Sequence, residues 1–221
     1  MSPREPSFDG LPGTIPVFPL PEVLLLPGGR LPLNIFEPRY LAMVEDALAE
    51  HRMIGMIQPC CRDRKDPSPA LYRTGCAGRI ARFEETGDGR YLIALNGVCR
   101  FDVAEELPLN RGYRRVRADW SRYEGDMACC DEVKLDRTRL LASLRRYFEA
   151  HGLSADWAAV GAAPDERLVT CLAMICPFDA PEKQALLEAP DLPARAEVLT
   201  TLVEMAALGG KPPCGGGPSC Q

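Results

Sequence analysis

The sequence predicts an α+β fold, with a β-rich part over residues 14–120 and an α-helical part over residues 131–210. Three observations predict it. Apolar side chains alternate at period two over residues 31–35 and 75–103, the pattern of strands with one face turned inward. From residue 133 onward they recur at helical spacing instead. Between the two, residues 121–130 follow neither period and read as a linker.

Residues 1–13 hold three prolines and two glycines and predict an extended arm. In residues 15–20 the apolar run is broken by Pro16 and Pro19, which cannot donate to a ladder, so an edge strand is expected. The apolar run at 23–26 ends at Pro27-Gly28-Gly29, where the chain should reverse. Leu31, Leu33 and Ile35 then share one sheet face. A helix is expected to begin at Glu37-Pro38, because proline at the first helical position loses no hydrogen bond. Tyr40, Leu41, Val44, Ala47 and Leu48 form its apolar stripe, and His51 and Arg52 suit its negative end.

Residues 53–57 read as a buried strand, and the polar, proline-bearing residues 58–70 as a surface loop. A strand over 75–83 is followed by the Gly87-Asp88-Gly89 hairpin and a strand with Tyr91, Ile93 and Leu95 on one face. Asn96-Gly97 marks a further turn or a bulge. Beyond it Cys99, Phe101 and Val103 should point inward, with Arg100 and Asp102 outward. Residues 111–120 are the most basic stretch. Helices are then expected from Val133 to a Gly152 C-cap, after Ser154 as a cap, from Asp165 to Cys176 with Leu168, Leu172 and Ile175 inward, and after Pro181 and Pro193. Residues 211–221 are too rich in glycine and proline to fold alone, and a disordered tail is expected.

A net charge of −5 argues against nucleic-acid binding through bulk electrostatics. No segment approaches the roughly 20 apolar residues of a membrane helix, and the N-terminus lacks the apolar core of a secretory signal. A cytoplasmic protein is therefore expected. The ten cysteines include no C-x-x-C pair, so neither a metal site nor a cofactor is expected, and Cys76 and Cys99 read as small buried hydrophobes. The motifs H-E-x-x-H, G-x-S-x-G and G-x-x-x-x-G-K-[ST] are all missing, and no catalytic residue is assigned. His51 and His151 each stand near an expected helix C-terminus, a capping position.

The run IPVFPLPEVLLLPGGRLPLNIFEPRY resembles the opening of the Lon protease N-terminal domain, and FEPRY resembles the free-standing bacterial proteins built from that domain alone. TGCAGRIARFEETGDGRYLIALNGVCRFDV, with its G-D-G hairpin and the close from Gly97 to Phe101, is similar to a second family segment, and APEKQALLEAPDLPARAEVLTTLVEM to the family's closing helices. The resemblance implies a PUA-like β-barrel followed by a helical bundle that engages protein substrates, with an apolar groove between the two parts. It implies recognition of unfolded or extended polypeptide without ATP hydrolysis or cleavage, as a protease adaptor or chaperone-like binder.

Phe36, Arg39 and Tyr40, at the strand-to-helix junction, are then the candidate peptide-binding residues. Their alternative role is structural, with the two aromatics in the core and Arg39 paired to a carboxylate. A second functional reading is RNA binding by Arg111, Arg114, Arg115 and Arg117 beside Tyr113 and Trp120, against which stands a charged strand edge. A third is a small-molecule site at the junction.

Overall fold

The computed structural model describes residues 7–60, 69–128, 136–150, 152 and 154–209. The chain divides into two units, Met1–Cys129 and Cys130–Gln221. The first contains six strands and one α-helix: β1 (Thr14–Pro19), β2 (Arg30–Ile35), α1 (Pro38–Ala49), β3 (Met53–Ile57), β4 (Thr74–Glu85), β5 (Tyr91–Asn110) and β6 (Tyr113–Asp119).

The strand order is β2-β5-β4-β3-β1-β6, and β6 returns to pair with β5. Five strands therefore close into a barrel, with β2 attached outside it. Closure depends on the length of β5, whose residues from Tyr91 onward pair with β4 while Asp102–Asn110 pair with β6. Register shifts at Ala77/Gly78, Ile80/Arg82 and Val103/Glu105 mark bulges, which bend a strand enough to close a small ring. The helix α1 carries the chain back so that β3 runs parallel to β1.

Every barrel strand contributes to the interior. Ile15 and Val17 of β1, Met53 and Ile57 of β3, Ala77 of β4, Phe101 of β5 and Val116 of β6 form one buried cluster. Phe101 is the largest of them, and Gly55 and Gly75 make room for it. A Cβ on Gly75 would stand 2.6 Å from its ring, and one on Gly55 2.8 Å.

Three expectations for this unit are corrected. First, β1 is not an edge strand: Thr14–Val17 pair with β6 and Val17–Pro19 with β3. The prolines are tolerated because the two pairings are staggered, so that Pro16 faces a neighbour in register on one side only. Second, Arg100 and Asp102 point away from Phe101 as the alternation requires, yet only 4% and 1% of their surfaces are exposed. Third, the stretch expected to begin the linker supplies their cover, since Tyr123 is buried and Asp126 bonds to Arg100. In α1 the buried stripe also includes Met43, while Leu41 and Leu48 are half-exposed.

Asp102 accepts hydrogen bonds from Thr74 (2.9 Å), Tyr123 (2.9 Å) and Arg122 (3.0 Å). Burial alone would raise its carboxyl, but these bonds together with the charge of Arg122 outweigh burial and hold it below the usual 3.8. A carboxyl depressed in the folded state stabilises the fold above its unfolded value, and that contribution disappears as pH falls through the folded value. We expect Asp102→Asn to remove part of the stability loss seen between pH 5 and pH 2. Urea midpoints across that window, compared with wild type, measure it.

The second unit contains α2 (Arg137–Ala150), α3 (Trp157–Ala162), α4 (Asp165–Ile175), α5 (Ala180–Glu188) and α6 (Leu192–Gly209). α6 packs against α2, α4 and α5. Leu140, Leu144, Val169, Ala173, Leu186, Leu199 and Val203 are buried in this unit.

Pro181 opens α5 as expected, within a capping box in which Asp179 accepts from the Glu182 N–H and Glu182 accepts from the Asp179 N–H. Asp156 rather than Ser154 caps α3, because its carboxylate reaches the N–H groups of both Ala158 and Ala159. Ile175, expected inward, is the last residue of α4 and is 71% exposed, whereas Leu168 and Leu172 are buried as expected. Arg137 holds the carbonyls of Val160, Gly161 and Ala163 at the end of α3 and pairs with Asp165. His151, Val133, most of the 58–70 loop and the 211–221 tail lie outside the described residues.

Candidate functional site

The strand-to-helix junction is built by the end of β2 and the start of α1. Ile35 is buried opposite Tyr91, and the chain then leaves the sheet through Phe36 and Glu37 before Pro38 opens the helix. Phe36 is 40% exposed, with the Arg90 guanidinium 5.8 Å from its ring centre. Leu92, 39% exposed, pairs with Asn34 and so lies one step along the same sheet face. Arg39 is exposed and donates to the Glu37 carboxylate at 2.8 and 3.0 Å.

Tyr40 differs from these two. It is buried against Phe18 at 4.2 Å between ring centres, and its burial raises the phenol pKa. Its ring carries the Arg39 guanidinium at 4.7 Å, which makes it the floor under an exposed charge. Of the three residues expected to bind peptide, Phe36 and Arg39 are reachable and Tyr40 belongs to the core. Leu92, which the sequence does not single out, joins Phe36 because β2 pairs with β5 across a long stretch of sequence, and Arg90 stands just before β5.

This corner also has an open strand edge, since among the described strands β2 pairs with β5 alone. Pro32 lies in the middle of β2, opposite Ala94. A proline fits a ladder only where its nitrogen faces away from the partner, so the open edge lacks one donor at residue 32.

The four arginines expected to grip nucleic acid are mostly occupied. Arg111 bonds to Glu45 and Asp46, each at 2.7 Å. Arg114 forms a two-pronged pair with Glu106 at 2.7 Å and also reaches the Pro69 carbonyl. Arg117 bonds to Glu105 at 3.1 Å, and Arg115 reaches the Pro108 carbonyl at 3.4 Å. β6, which carries Arg114, Arg115 and Arg117, is not an edge but lies between β1 and β5. Arg111 takes φ +47 and Gly112 φ +88, the left-handed pair of a tight hairpin turn, and that turn aims Arg111 at α1.

Beside this hairpin lies a cavity of about 460 Å³, a usual size for a ligand site. It is walled by the last turn of α1, the chain entering β1 and the β5–β6 hairpin. Asp46 in its wall accepts from Tyr113 (2.7 Å), Asn110 (3.1 Å) and Arg111. Burial opposes its charge, but the bonds from Tyr113 and Arg111 prevail and lower its carboxyl pKa. The Arg115 Nε is buried in the same unit without an acceptor among the described groups.

The described residues contain no group of three or more metal-ligating side chains. The Cys99 and Cys176 thiols are pushed up to about 12 by burial and stay protonated, which makes them poor nucleophiles. No helix among the described residues is long and apolar enough to cross a membrane.

A family model described as the ATP-dependent protease La (LON) substrate-binding domain matches residues 14–204. "Lon protease 2" of Myxococcus xanthus is 28% identical over 203 residues, covering 88% of this chain and 24% of its own length. The chain thus spans about a quarter of that curated relative. Among solved structures, the Lon N-terminal domain protein from Xanthomonas campestris aligns with TM-score 0.59 and 24% identity, covering 85% of this chain and 97% of the other. The N-terminal domain of Mycobacterium avium complex Lon protease aligns with TM-score 0.57 and 15% identity, covering 86% and 97%.

Proposed function

This chain belongs to the ATP-dependent protease La (LON) substrate-binding domain family, and on that premise we propose that it captures extended or partly unfolded polypeptide at the β2–α1 corner without transforming it. The observation that carries the proposal is the coincidence of exposed Phe36 and Leu92 with the open edge of β2. An extended peptide can add to such an edge through its main chain while alternate side chains meet apolar neighbours. The gap in the edge at Pro32 limits indiscriminate sheet growth and leaves the side chains a larger share of the affinity. Arg39 and Arg90 rim the apolar spot, a charged border that admits acidic or polar flanks of a bound segment.

In a protease system this activity would hold or present substrates, as an adaptor or chaperone-like binder. RNA recognition has weaker support, because Arg111, Arg114 and Arg117 already answer to carboxylates.

Phe36→Ser and Leu92→Ser remove exposed side chains and should leave the melting temperature nearly unchanged. Together they should weaken binding of a permanently unfolded, fluorescently labelled polypeptide by about tenfold or more, the scale of an interface hot spot. Fluorescence anisotropy measures this, and undiminished affinity in the folded double variant would reject the corner.

A further inference from the structure

One face of α6 packs into the helical unit, where Leu192, Ala196, Leu199 and Val203 are buried. The opposite face is open. Ala194 and Val198 are half-exposed, Thr201 is exposed, and Met205 and Leu208 leave 62% and 88% of their surfaces to solvent. These five uncharged residues follow one another at intervals of four, three, four and three, which holds them within a strip about 80° wide on a helix of 3.6 residues per turn. That spacing is the seam of a two-helix coiled coil. A helix face meant for water carries charged and polar side chains instead.

The strip also tapers. Its side chains grow from Ala194 and Val198 at the start of α6, through Thr201, to Met205 and Leu208 at its end. A parallel copy of the same helix would set Leu208 on Leu208 and leave a gap between two alanines. An antiparallel copy sets Ala194 opposite Leu208 and Val198 opposite Met205, with Thr201 meeting its own counterpart on the two-fold axis. Large against small across facing positions is how packed helices fill their volume. A strip that complements itself under a two-fold rotation is an isologous surface, and its partner is the same surface on another copy.

Charge does not oppose this arrangement. It brings Glu197 toward Glu204 of the second copy, but Arg139 already joins both carboxylates within each chain, at 2.7 Å to Glu197 and 2.9 Å to Glu204. The exposed Arg146 lies one heptad along α2 from Arg139 and brings this flank to two acids and two bases.

We propose that α6 is a homodimer interface, in which the strip from Ala194 to Leu208 packs antiparallel against the same strip of a second copy. The inference stands apart from the polypeptide-binding reading. An 18-residue helix is about 27 Å long, so the contact falls short of the roughly 1,200 Å² of a standard interface. The dimer is therefore concentration-dependent, with a dissociation constant on the order of micromolar.

Sedimentation equilibrium of the full chain in reducing buffer, from about 1 to 500 µM, tests this. Wild type should pass from monomer to dimer across that range. Met205→Glu should raise the dissociation constant at least about tenfold, because it puts a carboxylate into the apolar seam of both copies. Leu109→Glu makes the same charge change at a residue of β5 that is also 62% exposed, and it should leave the dimer intact. Leu208→Glu serves as the seam variant if Met205→Glu fails to fold. Orientation is read by placing a photo-crosslinking residue at position 208 and mixing those chains with heavy-isotope-labelled wild type: crosslinks should run to residues 191–198 of the second copy. A wild type that stays monomeric, a seam variant that dimerises as well as Leu109→Glu, or crosslinks that run to residues 205–209 would overturn the antiparallel pairing.

Discussion

Asp126→Ala should lower the stability of the barrel by about 3–5 kcal/mol, the cost of stranding a buried charge. Asp126 takes the Arg100 backbone N–H at 2.9 Å, its Nε at 2.8 Å and its Nη2 at 2.6 Å, and the side chains of both residues are less than a tenth exposed. Without the carboxylate the guanidinium stays beneath the 120–127 segment, over the Tyr123 ring at 4.8 Å, with its main counter-charge gone. Removing both charges at once, as Arg100→Met with Asp126→Leu, should recover part of the loss, because an apolar pair bears no charge-desolvation penalty while the residue 100 backbone N–H still loses its acceptor. Urea unfolding in a Trp157→Phe background follows the barrel through Trp120, which packs on Phe101 at 5.7 Å. A fall of under about 1 kcal/mol for Asp126→Ala would place this pair with surface ion pairs in its energetics.

Gly97→Ala should cost about 3 kcal/mol, at the upper end for overpacking, because the added methyl meets backbone rather than a yielding side chain. A Cβ there would lie 2.0 Å from the Leu26 carbonyl oxygen and 2.8 Å from its carbon. Gly97 also donates to Gly29 O at 2.8 Å and accepts from Gly28 N at 3.0 Å, so relief requires the 26–29 segment to leave β5. That segment follows Leu24, Leu25 and Leu26, which are buried in irregular backbone, and lifting it would expose apolar surface. Gly87→Ala is the control: a Cβ there meets nothing within 4 Å, and stability should change by less than about 0.5 kcal/mol. Equal midpoints for the two variants would show that the loop gives way freely.

These two sites differ in how far the sequence reveals them. Asn96-Gly97 reads as a turn or bulge, but the need for glycine arises from Leu26, some seventy residues away along the chain. Arg100 and Asp102 read as outward, and their direction is right. They are buried nonetheless, because the outer face at that point is covered by residues 120–127, whose lack of periodicity resembles a linker. The candidate corner follows the same pattern. FEPRY marks the junction, but the exposure of Phe36, the burial of Tyr40 and the company of Leu92 follow from strand pairing.

What the sequence determined by itself is whatever a few neighbouring residues can decide. Pro38 starts α1, Gly87-Asp88-Gly89 turns the β4–β5 hairpin, Pro181 opens α5, and the change of period separates strands from helices. Backbone torsions and side-chain spacing act over one turn or one alternation, so a single segment suffices to express them. Only the tertiary structure decided that β5 is long enough to close the ring, that β1 lies inside it, and that Arg115 and Glu50 face one cavity. The energy of a charge or an orphan donor depends on groups brought near from elsewhere in the chain, and no local pattern encodes which groups those are.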